Sequence, residues 1–206
     1  MPSIYQLKPA FQNLLRPVTR ALARAGVTAN QVTLAALLLS VAYGALIAWR
    51  PSERWPLLAL PAVLFVRMAL NAIDGMLARE HGMKSALGAV LNELGDVVAD
   101  SALYLPLALV PGFDPVLVVA VVLLAVISEM TGVIGVQIGA SRRYDGPSGK
   151  SDRAFFFGAM ALLLGLGVQP GKWVRVILGV MVVMLSVTIW NRARQALREA
   201  AAKGSR

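Results

Sequence analysis

The sequence predicts an all-α integral membrane protein: six transmembrane helices preceded by an amphipathic helix lying at the membrane interface. Three observations predict it. The 206-residue chain is 57% hydrophobic and only 15% charged, whereas a soluble domain carries about a quarter charged residues. Six long apolar runs are divided by short polar or Pro/Gly-rich breaks, and a helix that crosses a bilayer needs about 20 such residues. The cations fall almost entirely on one side of the topology that six spans create.

Taken in order, residues 2–25 place Tyr5, Leu7, Phe11, Leu14, Leu15, Val18, Leu22 and Ala25 at three- and four-residue steps with basic residues between them. That pattern is an interfacial helix on the inner leaflet, broken near Pro17, or a docking surface for a partner. Lys8, Pro9, Arg16, Pro17, Arg20 and Arg24 interrupt any early apolar run, so no cleavable signal peptide is expected. Thr28 and Gln31 have the spacing of a capping box that opens the first span. The six spans are expected at about 31–49, 56–79, 85–110, 115–140, 154–169 and 173–190. Ser85 is the expected cap of the third. The tryptophans and tyrosines sit mostly near span ends, as an aromatic belt does, and are assigned no chemistry.

With the N-terminus cytoplasmic, the inner side holds Lys8, Arg16, Arg20, Arg24, Arg79, Lys84, Arg142, Arg143, Lys150, Arg153, Arg192, Arg194, Arg198, Lys203 and Arg206. The outer side holds only Arg50, Arg54, Lys172 and Arg175. Fifteen against four is a strong positive-inside bias, and it fits an even number of spans with both termini cytoplasmic. It also accounts for the formal net charge of +9 by attraction to anionic lipid, with no nucleic-acid partner. Cysteine is absent, which excludes disulfides, thiol nucleophiles and Cys-ligated metals. The single histidine, His81, reads as a solvated loop residue. A single domain is expected over 1–206: an amphipathic segment 1–27, a six-helix bundle 28–190 and a basic tail 191–206.

Polar residues inside the spans carry the functional signal, because ionisable groups there are costly. Asn71 and Asp74 are three apart on the second span, and Asn92, Asp96 and Asp100 are four apart on the third. The tight inner loop makes these spans an antiparallel hairpin, so both polar faces can meet near the cytoplasmic surface. Gly75, Ala78 and Gly88 permit close helix approach. Between spans four and five, Gly149 to Arg153 can form a phosphate seat at a helix start. The same residues also suit an ordinary basic loop capped by Ser151 or Asp152. Arg67 and Glu129 lie at similar depth, about 17 Å from the inner ends of their spans. They form either a buried pair or a deep acceptor-recognition site.

These residues resemble the CDP-alcohol phosphotransferase family, whose pattern is D-x2-D-G-x2-A-R-x8-9-G-x3-D-x3-D on the second and third of six membrane helices. The match lies at Asp74, Gly75, Ala78, Arg79, Gly88 and Asp96, with eight residues between Arg79 and Gly88. The resemblance extends to the six spans, the amphipathic N-terminus and Thr28-Ala-Asn30. A narrower kinship is to a bacterial inner-membrane branch carrying Asn-x2-Asp-Gly. The resemblance implies metal-dependent transfer of a substituted phosphate from a CDP-linked donor, often CDP-diacylglycerol, to a polar alcohol, with release of CMP. It implies Mg2+ or Mn2+ (one or two ions) at Asn71, Asp74, Asn92 and Asp96, with Asp96 as base. Gly75, Ala78, Arg79 and Gly88 map to the part that receives the CDP group; Lys150 and Arg153 resemble cations that hold the acceptor. It further implies a homodimer in the bacterial inner membrane, surrounded by membrane lipids.

Asn71 and Asn92 stand where the pattern has Asp, which removes two negative charges from the cage. Asp100 is either a replacement ligand or a structural pairing group, for example with Arg67. Glu93 points about 100° away from Asn92 around the helix and is a weaker candidate. The alternatives to the leading activity are a transferase using a soluble CDP-alcohol and a lipid acceptor, or a non-catalytic lipid- or nucleotide-binding membrane protein. A transporter would need repeated halves or broken helices, and the sequence has neither.

Overall fold

A computed structural model describes residues 4–204, with side chains over 9–203. Arg206 and the side chains of Tyr5, Leu7 and Lys8, all used above, lie outside the described residues. Among those residues the regular elements are all helices: α1 Ile4–Arg24, α2 Ala29–Trp49, α3 Arg54–Glu80, α4 Ala86–Tyr104, α5 Pro115–Gln137, α6 Lys150–Gly165 and α7 Lys172–Gly204. A 3-10 turn, Leu105–Leu109, continues α4.

The helix starts follow from local chemistry. Thr28 N–H donates to Gln31 Oε1 at 2.9 Å and Gln31 N–H donates to Thr28 Oγ1 at 3.3 Å, so the capping box opens α2 as expected. Gly88 N–H donates to Ser85 Oγ at 2.9 Å, which caps α4. Asp114 Oδ1 accepts from Val116 and Leu117 N–H at the start of α5, where Pro115 lacks the donor a first turn would leave unused.

Four helices, α2, α3, α5 and α7, are long and apolar enough to cross a membrane. α4 does not qualify by composition, since Glu93, Asp96 and Asp100 break its apolar character. α6 has 16 residues and rises about 24 Å, short of a hydrocarbon core of about 30 Å. Outward-facing side chains such as Leu38, Leu94, Leu123 and Val183 are exposed, an arrangement suited to lipid and not to water.

The contacts divide the chain into two compact units: Met1–Tyr43 with Ala62–Ala99, and Gly44–Pro61 with Asp100–Arg206. In the first, Ala29, Val32, Ile73 and Leu77 form a core against which Leu15 and Leu22 of α1 pack. Phe11 meets Phe65 edge-on at 5.8 Å, and Arg16 pairs with Glu80 at 3.0 Å. In the second, Tyr104 stacks on Phe157 at 4.4 Å, and Val118, Val121, Met160 and Leu178 are fully buried. Gly44 is required there because a Cβ would collide with the Ala102 carbonyl.

Candidate active site

Within the first unit, α3 and α4 carry the polar motif. Arg67, Asn71 and Asp74 follow one face of α3 at helical spacing. Asn71 Nδ2 donates to Asp96 Oδ1 at 3.1 Å, so the expected meeting of the two helices occurs at these residues. Arg67 Nη2 stands 3.7 Å from the same carboxylate oxygen and donates to the Asp96 backbone carbonyl at 3.4 Å. Asp96 is therefore an anion held between an amide and a guanidinium, with little exposure. Such an arrangement fixes its orientation.

Asp74 is buried, and its Oδ2 accepts from Thr33 Oγ1 at 2.8 Å. The Thr33 hydroxyl also lies 3.1 Å from Ala29 O, the usual partner of a threonine within its own helix. Sequence reasoning did not single out Thr33. Its only signal was a hydroxyl five residues after the Thr28 cap, in an otherwise apolar span. Asn92 is exposed and Glu93 half-buried, one turn before Asp96.

The motif's small residues have visible reasons. A Cβ on Gly75 would press on both terminal nitrogens of Arg79 at 3.1 Å, because that guanidinium folds back over the glycine. A Cβ on Gly88 would lie 2.7 Å from Asn30 Oδ1, which places Asn30 against the start of α4. Ala78 packs at the edge of the core around Leu77. His81 is exposed in the turn after α3, as expected.

The second unit holds charged residues of its own. Asp100, four residues beyond Asp96 on α4, accepts from Arg153 Nη2 at 2.7 Å and Nε at 3.1 Å. Glu129 carries three arginines of its own unit. Arg142 lies at 3.2 Å, Arg153 at 3.3 Å and Arg192 at 3.5 Å. Arg142 and Arg192 entered the sequence reading only as part of the inner-side charge.

The loop before α6 is built firmly. Gly149 N–H donates to Asp152 Oδ2 at 2.8 Å, so Asp152 caps the helix and occupies one donor of the expected phosphate seat. Lys150 is half-buried at the first turn, whereas Arg153 turns fully inward. Ser148 N–H donates to Thr188 Oγ1 at 3.0 Å, and Gly146, at φ +124°, lets the chain pass where a Cβ would sit 2.6 Å from Thr188 Cα. Arg143 joins Asp145 at 2.7 Å and Glu199 at 2.8 Å. The hydrogen bond to Asp145, reinforced by Glu199, raises its pKa above the ordinary arginine value.

Residues 26–198 match the family described as CDP-alcohol phosphatidyltransferase. The chain belongs to that family. Inner membrane protein YnbA of Escherichia coli (strain K12) is 44% identical over 195 residues, covering 95% of this chain and 96% of that protein. A phosphatidylinositol phosphate synthase of Mycolicibacterium smegmatis is 34% identical over 145 residues, 68% of this chain and 64% of that enzyme. The crystal structure of Mycobacterium tuberculosis phosphatidylinositol phosphate synthase with CDP-DAG bound superposes with a TM-score of 0.74 at 21% identity, covering 87% of this chain and 92% of that one. The same enzyme in complex with manganese and citrate gives a TM-score of 0.74 over 88% of each chain. At that identity the structures establish a common fold. Family membership makes the chain a transferase, and its apolar helices and inner-membrane relative make it a membrane protein.

The donor set bears on a metal. Among the described residues, no three His, Cys, Asp or Glu side chains gather into a preformed cage. The motif nonetheless offers only oxygen ligands, from Asp74, Asp96 and the amide carbonyls, which is the chemistry Mg2+ and Mn2+ take. Asn71 uses its amide nitrogen on Asp96 and so keeps its carbonyl oxygen for a cation.

Proposed function

We propose that this protein transfers the phosphatidyl group of CDP-diacylglycerol to the hydroxyl of a polar alcohol, releasing CMP, in a reaction dependent on Mg2+ or Mn2+. The observation that carries the reading is the seating of Asp96 by Asn71 and Arg67, at the position that matches the family's last Asp. A carboxylate oriented by these two partners and largely shielded from water is suited to take the acceptor hydroxyl proton. The acceptor oxygen then bonds to the phosphorus of the phosphatidyl group while the bond from that phosphorus to the bridging oxygen of CMP breaks. The electron pair leaves with CMP, and the proton resides on Asp96. Asp74, steadied by Thr33, with Asp96 and the carbonyl oxygens of Asn71 and Asn92, would hold the cation. A bound divalent ion would neutralise the diphosphate and stabilise the leaving CMP.

Two carboxylates in place of the family's four favour one tightly held ion, with Asp100 bonded through one oxygen to Arg153. Gly75, Ala78, Arg79 and Gly88 would line the CDP group. Six spans in the inner membrane with cytoplasmic termini are supported by the charge asymmetry and by α4 and α6 lying between four apolar helices. The manganese and CDP-DAG complexes of the mycobacterial enzyme support the cofactor and donor. A single 1–206 domain, an interfacial α1 and a homodimer complete the proposal; the packing of Leu15 and Leu22 on the core supports anchoring of α1.

A second reading, binding without turnover, draws on Asn71 and Asn92 and the lack of a preformed acidic cage among the described residues. The deciding experiment is CMP release by purified, lipid-reconstituted protein with Mg2+, Mn2+ or chelator, against a panel of alcohols and their phosphates. A parallel arm supplies a soluble CDP-alcohol with diacylglycerol. Acceptor-dependent release that chelator abolishes supports the transferase with its donor. Silence in every arm, with CDP-diacylglycerol still bound, favours the binding reading.

A further inference from the structure

Arg67 is 5% exposed on α3, four residues before Asn71 and on the same face. A buried arginine in a membrane helix is costly, so a task is expected of it. Its Nη2 stands 3.7 Å from Asp96 Oδ1 and donates to the Asp96 carbonyl at 3.4 Å, while Asn71 Nδ2 donates to the same Oδ1 at 3.1 Å. Two donors from α3 thus crowd that one oxygen. A divalent ion bound to it would sit about 2.1–2.3 Å away, hence within about 6 Å of the guanidinium. Two cations so close repel strongly where little water screens them. The charges fit the same picture. Asn71 lacks the negative charge that Asp would carry, and Arg67 adds a positive one. This pair on α3 is therefore two units more positive than an aspartate preceded by a neutral residue, and two units is the charge of one divalent ion. The other charged groups of the motif have placements of their own. Asp74 accepts from Thr33, the Arg79 guanidinium folds over Gly75, and Asp100 accepts from Arg153. Glu93 is half-buried one turn nearer the start of α4 than Asp96, and Asn92 is exposed.

We propose that Arg67 is the fixed cation of Asp96, standing where a second divalent ion would bind, so that the site takes a single Mg2+ or Mn2+ ion. A guanidinium, unlike an ion, neither dissociates from the site nor loses its proton in a protein. Asp96 therefore keeps a cationic neighbour whether or not metal is bound. Arg67 acts through Asp96 and is a positioning residue; the single ion remains the source of any sensitivity to chelator. The inference rests on the proposed metal-dependent transferase and names what replaces a second ion in it.

The experiment counts Mn2+ bound per chain, by equilibrium dialysis of the full protein in detergent with Mn2+ alone, and records the electron paramagnetic resonance of the bound metal. Two ions sharing Asp96 would lie about 3.5–4 Å apart and broaden each other's signal, whereas a single ion gives an uncoupled one. Wild type and Asn71→Asp should each bind one ion, Asn71→Asp about tenfold more tightly, because Arg67 remains in both. Asn71→Asp combined with Arg67→Met should bind two ions and show the coupled signal. Asn71→Asp combined with Arg67→Lys, which returns the positive charge, should bind one again. Two ions in wild type or in Asn71→Asp overturn the proposal, as do one ion in the folded Arg67→Met combination or two in the Arg67→Lys combination. Removing Arg67 leaves buried carboxylates without their cation, so the Arg67→Met combination is prepared in Mn2+. Should it still not fold, wild type and Asn71→Asp decide, one uncoupled ion in each upholding the proposal. Turnover does not enter these counts. Expected counts with no CMP release from any donor and acceptor sink the transferase and leave the role of Arg67. Contrary counts with CMP release intact sink the role of Arg67 alone. Mn2+ bound by neither wild type nor Asn71→Asp overturns both.

Discussion

Restoring the family's carboxylate by Asn71→Asp should reverse the metal response of the protein. Asn71 Nδ2 now donates to Asp96 Oδ1 at 3.1 Å, and a hydrogen bond to a charged group contributes about 1.5–3 kcal/mol. The substitution removes that bond and brings two carboxylates to about the same separation, where repulsion at an effective dielectric of about 20 is on the order of 4 kcal/mol. Arg67, 3.7 Å from Asp96, offsets part of it. A net cost of about 2–4 kcal/mol without metal lowers the melting temperature by roughly 5–12 °C for a chain of this size. A divalent cation turns the same repulsion into ligand charge, so the half-saturating Mg2+ or Mn2+ concentration should fall by about tenfold or more. The assay is thermal unfolding in chelator and in Mn2+, with CMP release measured against metal concentration. Equal melting in chelator and an unchanged metal half-saturation would refute the seating of Asp96 by the amide.

Asp96→Asn should reduce CMP release by about a thousandfold or more while CDP-diacylglycerol still binds; retained turnover would sink its role as base. Thr33→Val deletes the 2.8 Å hydrogen bond to Asp74 at constant shape and should raise the metal half-saturation by roughly three- to tenfold, read from the same titration. An unchanged value would mean that Asp74 is placed by other contacts. Gly44→Ala drives a methyl into the Ala102 carbonyl and should cost about 1–3 kcal/mol, seen as a lower melting temperature with the metal half-saturation of the folded fraction unchanged.

Most helix starts were legible in the sequence to within a few residues, because each has a local cause, but α7 runs on to Gly204 past the expected end at 190, and α1 continues through Pro17 where a break was expected. Thr28 with Gln31 and Ser85 with Gly88 make the capping bonds their spacing announces. Pro115 and Asp114 start α5, and long apolar runs admit nothing but helix where water is absent. The motif was legible for a similar reason: offsets of three and four residues place Asn71 beside Asp74, and Asp96 beside Asp100, on helical faces. Which helices qualify as spans was less legible, since α4 spends its apolar character on three carboxylates and α6 is short.

Partners were not legible. Arg67, Asn71 and Asp96 form one set, while Glu129 gathers Arg142, Arg153 and Arg192 from a loop and two helices. A charge in a membrane segment must find a counter-charge, but several arginines lie at compatible depths and the sequence ranks none of them. Asn71 shows the same limit: its type says ligand, and only its neighbour makes its amide a donor to the base. The sequence by itself thus determined the helices, their polarity and the chemistry held on α3 and α4, because those depend on residues one turn apart. The tertiary structure decided which carboxylate is poised and which is neutralised, because a buried ion pair is a choice among distant groups that only packing can make.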